Sequence, residues 1–222
     1  MIDGWNSPIL TRWHRPQRAR IFRTMVLNSQ TASKNAQPGS GSLVIFTRIE
    51  GLLRERTHAA SATASDPLRF LATWGVPVVL VSAWDASEIR HLQQEFAFDQ
   101  PFICEEGAAV HVPGTWLGEP GDGPRVEEEA NWETFRFSPR SVDGAVQLLT
   151  AMFLARGYDP LLTVGIGCDL ADYNLLAAVD IPIVIRDRCG SQPELLRQLP
   201  GVYVTSATGT AGWSEAVLGV SH

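Results

Sequence analysis

Apolar residues fall along this chain in short continuous runs separated by longer stretches of helical periodicity. "SLVIFT", Ser42 to Thr47, and "VPVVLVSA", Val76 to Ala83, are rich in β-branched residues and lack polar alternation, the pattern of parallel strands covered on both faces. Between them "DPLRFLATWG" sets Leu68, Leu71 and Trp74 at helical spacing and closes on Gly75, a helix C-cap. That is a βαβ unit.

The rhythm continues to the C-terminus. Asp85 to Phe96 predicts a helix with Ile89, Leu92 and Phe96 inward, and "PFICEEGAAVHV" predicts one or two strands. "SVDGAVQLLTAMFLARG" is a long amphipathic helix and "LLTVGIG" a buried strand. "LADYNLLAAVD", "IPIVIR", "QPELLRQLPG", "VYVTS" and "GWSEAVLGV" follow as helix, strand, helix, strand, helix. The series predicts an α/β fold with a doubly wound parallel sheet, and such sheets place ligands beyond the carboxyl ends of their strands. Trp74 and Trp213 are expected in its core. Pro113 to Pro139 interrupts the rhythm with Gly, Pro and Glu around one alternating segment, Trp132 to Phe137. It reads as a small insertion over the upper edge of the sheet.

Charge divides the chain in two. Residues 1–41 carry Arg12, Arg15, Arg18, Arg20, Arg23 and Lys34 against Asp3 alone, a balance of +5, which leaves −11 of the total −6 for residues 42–222. "NSQTASKNAQPGSGS" within the front part has the composition of a linker and too little apolar surface to offset its ordering entropy. Residues 1–41 are therefore expected to form a disordered basic tail, with Met25 a rival initiator, and residues 42–222 the folded domain. The acidic body argues against a nucleic-acid surface, because a phosphate backbone rewards clustered cations.

With 222 residues and 45% hydrophobic content, the chain suffices for one sizeable core. No apolar run approaches the roughly 18 residues of a membrane span, and the N-terminus lacks the apolar segment of a signal peptide, so a cytoplasmic location and no membrane partner are expected. Cys104, Cys168 and Cys189 are odd in number and widely spaced, which suggests reduced thiols and neither a disulfide framework nor a zinc knuckle.

Charged and hydroxyl residues gather where the predicted strands end. Arg48, Glu50 and Gly51 follow the first strand, Ser82 and Asp85 the second, and Glu105, Glu106 and Gly107 the third. Cys168, Asp169 and Asp172 follow "LLTVGIG". Loops are polar in any protein, but this coincidence at four strand ends of one sheet favours a site.

Several of these segments resemble the haloacid dehalogenase (HAD) superfamily, and within it the mannosyl-3-phosphoglycerate phosphatases. They are "LVIFTRIEGLL", "WGVPVVLVSAWDASEI", "PFICEEGAAVHVP", "TVGIGCDLADYNLLAAVDIPIVI" and "GTAGWSEAVL". The resemblance implies a HAD-like core with a reduced cap at about 113–139. It also implies a phosphatase mechanism in which an Asp-x-Asp loop after the first strand supplies a nucleophilic carboxylate and a general acid. A Ser or Thr after the second strand binds the phosphoryl group, a Lys offsets its charge, and acids in a Gly-Asp-x-x-x-Asp loop hold magnesium.

Matched residue by residue, this sequence departs from that pattern. The nucleophile position is Arg48, whose guanidinium stays protonated and has no lone pair to offer. The general-acid position is Glu50. Ser82 keeps the phosphate-binding hydroxyl, and Arg140 stands where the lysine would be. In the metal loop Cys168 replaces the first aspartate, with Asp169 adjacent and Asp172 matching the second, so magnesium is expected to bind weakly or not at all. The sequence predicts that Arg48 pairs with Asp169 or Asp172 and fills the magnesium position. Plainer roles compete with these: Glu50 as a solvated loop residue, Ser82 as a strand terminator or helix cap, and Asp172 as a partner of its helix dipole.

The expected function is accordingly a phosphatase relative with lost or strongly reduced activity that binds a phosphorylated small molecule or a protein partner. Two alternatives stand beside it. One is an active magnesium-dependent phosphohydrolase on a sugar-phosphoglycerate or related phosphomonoester, improvised from Glu50, Asp169 or Cys168. The other is a structural subunit of a sugar-metabolism assembly.

Overall fold

The structure is a computed structural model that describes residues 42–50, 62–96, 99–116, 132–158, 161–187 and 192–219. The expected basic tail and most of the 113–139 insertion lie outside the described residues.

Among the described residues, eight strands form one sheet: β1 Ser42–Arg48, β2 Val78–Val81, β3 Phe102–Cys104, β4 Ala109–Pro113, β5 Trp132–Arg136, β6 Leu161–Gly167, β7 Ile181–Arg186 and β8 Tyr203–Thr208. Their order is β5-β4-β3-β2-β1-β6-β7-β8. From β1 the chain first builds outward through β2 and β3, then returns to β6 on the other side of β1 and builds through β7 and β8. The order thus reverses between β1 and β6, which is where open α/β sheets form their ligand crevice.

The helices are α1 Ala62–Thr73, α2 Ala86–Glu95, α3 Val142–Ala155, α4 Tyr173–Ala178, α5 Pro193–Gln198 and α6 Gly209–Gly219. Successive side chains of a strand point to opposite faces, so each buried strand feeds two cores. Ile45, Leu80 and Ile166 meet Leu68 and Leu71 of α1, Ile89 and Leu92 of α2, and Trp213 and Ala216 of α6. Val44, Phe46, Val79 and Val81 meet Val146, Leu149 and Phe153 of α3 and Leu175 of α4. Both faces of the central strands are dry, which accounts for their unalternating sequences.

The sheet is mixed. β1, β2, β3, β6, β7 and β8 run parallel, while β4 and β5 are antiparallel additions at one edge. A 3-10 turn over Glu105–Gly107 reverses the chain between β3 and β4. Glu105 and Glu106 adopt the left-handed conformation there, with φ of 52° and 53°, a strained choice for residues with a Cβ. The alternating segment Trp132–Phe137 is found as β5, paired to β4 from Ala109↔Arg136 to Pro113↔Trp132.

Two expectations need correction. β2 is only four residues long, Val78–Val81, within the expected Val76–Ala83, although the Ser82 N–H still donates to the Ile103 carbonyl at 3.0 Å. Trp74 is 47% exposed rather than buried: α1 ends at Thr73, and Gly75, with φ of 65°, turns the chain before the indole can reach the sheet. Trp213 is fully buried as expected. Among the described residues no helix is long and apolar enough to cross a membrane.

Candidate functional site

Arg48 closes β1 opposite Val81 of β2, and the Ile49 N–H donates to the Val81 carbonyl at 3.1 Å, so the chain stays extended one residue further. From the other side Trp213 Nε1 donates to Thr47 Oγ1 at 2.9 Å, wholly out of water. The strand end is therefore fixed before its side chains are considered. The Arg48 side chain is 14% exposed, and its Nε lies 3.1 Å from Glu50 Oε2 and 3.2 Å from Asp172 Oδ1. Nε carries one hydrogen, which cannot point at both oxygens. Neither oxygen has a directed hydrogen bond, and both are buried. The contact is a shared charge between one guanidinium and two carboxylates.

Asp172 is the deepest of the three, with its side chain 1% exposed. Its Oδ2 accepts the backbone N–H groups of Cys168 at 2.7 Å and Asp169 at 3.2 Å. Burial pushes the Asp172 carboxyl up from its ordinary range, against the lowering influence of the Arg48 guanidinium and of the two N–H donors. Desolvation thus outweighs the ion pair at this residue.

The fold-back of Asp172 requires Gly167 at the end of β6. A Cβ at position 167 would sit 2.6 Å from Asp172 Cβ and 2.8 Å from its Oδ2. Gln192, also buried, anchors the loop by donating its Nε2 to the Cys168 carbonyl at 2.8 Å and to that of Ile185 at the end of β7.

Glu50 joins this cluster to β2. Its Oε1 accepts the Ser82 hydroxyl at 2.5 Å and the Ala83 N–H at 2.7 Å. The Ser82 oxygen in turn accepts the Trp84 N–H at 2.9 Å, which commits the single hydroxyl proton to Glu50. These are short, charge-assisted bonds. Ser82 does not cap α2; Asp85 does, through bonds from the Ser87 and Glu88 N–H groups and a reciprocal bond from the Asp85 N–H to Glu88.

The remaining candidates stand apart from Arg48. Asp169 is exposed and caps the short turn Leu170–Asp172 by accepting the Ala171 N–H at 2.9 Å. Of the two partners the sequence offered for Arg48, the structure selects Asp172 and adds Glu50. Arg140 is 83% exposed, and its Nε contacts Glu106 Oε2 at 3.2 Å.

Cys168, Asp169 and Asp172 each bring one ligand-type atom within 4.8 Å of one another, the arrangement to test against a metal. Burial, with the nearby Asp172 and Asp169 charges, pushes the Cys168 thiol up to about 12, so it is a protonated sulfur rather than a thiolate. Magnesium wants near-octahedral oxygen ligands at about 2.0–2.1 Å. Asp172 Oδ2 is already spent on two N–H donors, and the guanidinium stands between Asp172 Oδ1 and Glu50 Oε2. These residues do not fit a magnesium ion.

Sequence reasoning found Arg48, Glu50, Ser82 and Asp172, which the structure brings into one contiguous network. It missed Gln192, Gly167 and the Thr47–Trp213 bond. Only the close Gly165/Gly167 pair of "GIG" hints at a crowded strand end; nothing in the sequence marks Gln192 or Thr47.

No protein-family model matches the sequence. Over 76 residues, 34% of this chain, it is 33% identical to a glucosyl-3-phosphoglycerate/mannosyl-3-phosphoglycerate phosphatase of Persephonella marina, and the match spans 28% of that protein's length. Among solved structures, a Thermoplasma acidophilum protein aligns over 81% of this chain and 98% of its own, with a TM-score of 0.57 at 12% identity. A haloacid dehalogenase-like hydrolase of Bacteroides thetaiotaomicron aligns over 81% and 99%, with a TM-score of 0.54 at 12% identity. A HAD-superfamily phosphatase from the same organism aligns over 85% and 97%, with a TM-score of 0.53 at 13% identity. The fold is HAD-like, with a weak resemblance to the mannosyl-3-phosphoglycerate phosphatases.

Proposed function

We propose that this HAD-like chain has lost hydrolysis by the covalent aspartyl route and serves as a binding protein. The observation that carries the reading is Arg48, held at 3.1 Å from Glu50 and 3.2 Å from Asp172 in the position where attack on phosphorus needs a carboxylate. A guanidinium forms no phosphoryl ester at any accessible pH. Nor is Glu50 free to shuttle a proton, since its Oε1 is engaged by Ser82 and Ala83 and its Oε2 by Arg48. With no nucleophile at the strand end and acids that do not fit magnesium, the two largest sources of rate for phosphoryl transfer are gone.

Of the two partner classes, the geometry weighs against a phosphorylated small molecule in this pocket, because the Ser82 and Ala83 donors are taken. A protein partner is the class that remains in this proposal. The test is phosphate release from p-nitrophenyl phosphate and from glucosyl-3-phosphoglycerate with magnesium present. The native chain is expected to match the buffer rate. Magnesium-dependent turnover that disappears in Glu50→Gln would overturn the reading.

One observation favours the second reading, an improvised phosphohydrolase: the clustering of Cys168, Asp169 and Asp172 within 4.8 Å. The same assay decides it, with Asp169→Asn as the variant that must lose the activity.

A further inference from the structure

We infer that Glu50 is a built-in occupant of an anion seat at the end of β2, so that an internal carboxylate and an internal guanidinium stand where an external anion and its counter-cation would otherwise meet. The inference rests on the reading of a non-hydrolysing site and adds what keeps that site filled.

Two hydrogen-bond donors and one guanidinium charge converge on one carboxylate. The Ser82 O–H and the Ala83 N–H reach Oε1 at 2.5 and 2.7 Å, and the Arg48 guanidinium reaches Oε2 at 3.1 Å. A hydroxyl, a loop N–H and a guanidinium are the donor set that recognises a tetrahedral oxyanion such as a phosphate monoester. The donors are preorganised independently of Glu50. Ser82 is held by its N–H on the Ile103 carbonyl at 3.0 Å and by the Glu106 N–H on its own carbonyl at 3.1 Å. Arg48 is held by Asp172.

The seat is therefore a property of the scaffold, and Glu50 fills it from two residues beyond Arg48. A tethered group competes at an effective concentration in the millimolar range or above, so a free anion must displace it to enter. A carboxylate in the seat also repels a second anion directly.

The experiment titrates inorganic phosphate into the native chain and into Glu50→Ala, reading heat of binding and the shift of the melting temperature. The native chain is expected to show no saturable binding, and Glu50→Ala to bind phosphate at least about tenfold more tightly, with a melting temperature that rises as phosphate is added. Adding Ser82→Ala to Glu50→Ala is expected to abolish the gain. Should Glu50→Ala fail to fold by circular dichroism, Glu50→Gln takes its place: the neutral amide keeps the packing and removes the charge that repels a second anion, so phosphate binding must again exceed that of the native chain.

Native binding as tight as that of the variants, or folded variants with no gain, overturns the inference. Because the readout is binding and not turnover, an active native enzyme would sink the preceding proposal while leaving this one to its own titration.

Discussion

Arg48 Nε lies 3.2 Å from Asp172 Oδ1, which ties the carboxyl ends of β1 and β6 by an ion pair almost wholly out of water. Glu50, partly exposed, approaches the same nitrogen, so one cation neutralises two acids. Such arrangements seldom add much net stability over a well-packed apolar replacement, but removing one partner strands the others without compensation. Arg48→Met is therefore expected to lose about 3–5 kcal/mol of unfolding free energy, by analogy with other broken buried pairs. Urea denaturation followed by tryptophan fluorescence measures it. Arg48→Lys should recover part of the loss, because the charge returns without the planar geometry.

Asp172 can take its position only because residue 167 has no side chain. A Cβ there would lie 2.6 Å from the Asp172 Cβ, too close for any relaxed contact. Gly167→Ala is expected to cost about 1–3 kcal/mol, the range for overpacking a filled interior. Combining it with Arg48→Met should cost less than the sum of the two single changes, since both act on the position of Asp172. A double-mutant cycle by chemical denaturation tests this.

The sheet and most of its helices were legible because both faces of β1, β6 and β7 are buried, so their apolar runs are unbroken. The pairing of Arg48 with Asp172 was legible because charged residues gather where the buried strands end and an arginine there needs an acid. What the sequence did not show depends on contacts between distant residues. Gln192 acts through carbonyls 24 and 7 positions away, which no local pattern records. Trp74 has the helical spacing of a core residue, yet the turn at Gly75 leaves it outside. The antiparallel edge strands depend on a reversal at Glu105 and Glu106 in left-handed conformations, which sequence statistics disfavour for glutamate.

Trp213 Nε1 donates to Thr47 Oγ1 at 2.9 Å, linking α6 to the residue before Arg48. Trp213→Phe keeps much of the apolar contact and removes this donor. The loss is expected to be about 1–3 kcal/mol, for one buried hydrogen bond plus a small void, since Thr47 Oγ1 keeps its bond to the Arg48 carbonyl. Thr47→Val, which leaves the buried indole N–H without its acceptor, should cost a comparable amount, and the pair should be non-additive. Calorimetric unfolding of the four proteins tests this.

The thiols give a pH dependence with a definite sign. Cys168 is pushed from an ordinary value of 9.0 up to about 12, chiefly by burial. A raised folded value means that the folded chain holds the proton more firmly than the unfolded chain. The associated stability is complete below pH 9.0 and is lost as pH rises toward about 12. Cys168→Ala is expected to flatten that alkaline decline relative to the native chain. At about pH 8, iodoacetamide should label Cys168 far more slowly in the folded chain than in urea, as followed by peptide mass spectrometry. Equal rates would show that the loop is open.

Arg48 Nε lies 3.1 Å from Glu50 Oε2 and 3.2 Å from Asp172 Oδ1, between the acids that a metal would have to share. Arg48→Asp together with Cys168→Asp restores carboxylates at the two altered positions and removes the guanidinium, leaving Glu50, Asp169 and Asp172 beside them. So many acids in so small a volume repel one another, and the double variant should be markedly less stable than the native chain in the presence of a chelator. Oxygen ligands are what magnesium requires, and a ligand that binds only the folded state raises the melting temperature in proportion to the logarithm of its concentration. Magnesium should therefore stabilise the double variant progressively while leaving the native melting temperature unchanged. Each single variant should respond less than the pair, because Arg48→Asp alone keeps a protonated thiol in the loop and Cys168→Asp alone keeps the guanidinium between the acids. A native chain that gains as much from magnesium as the double variant would mean that Arg48 does not hold the metal's place.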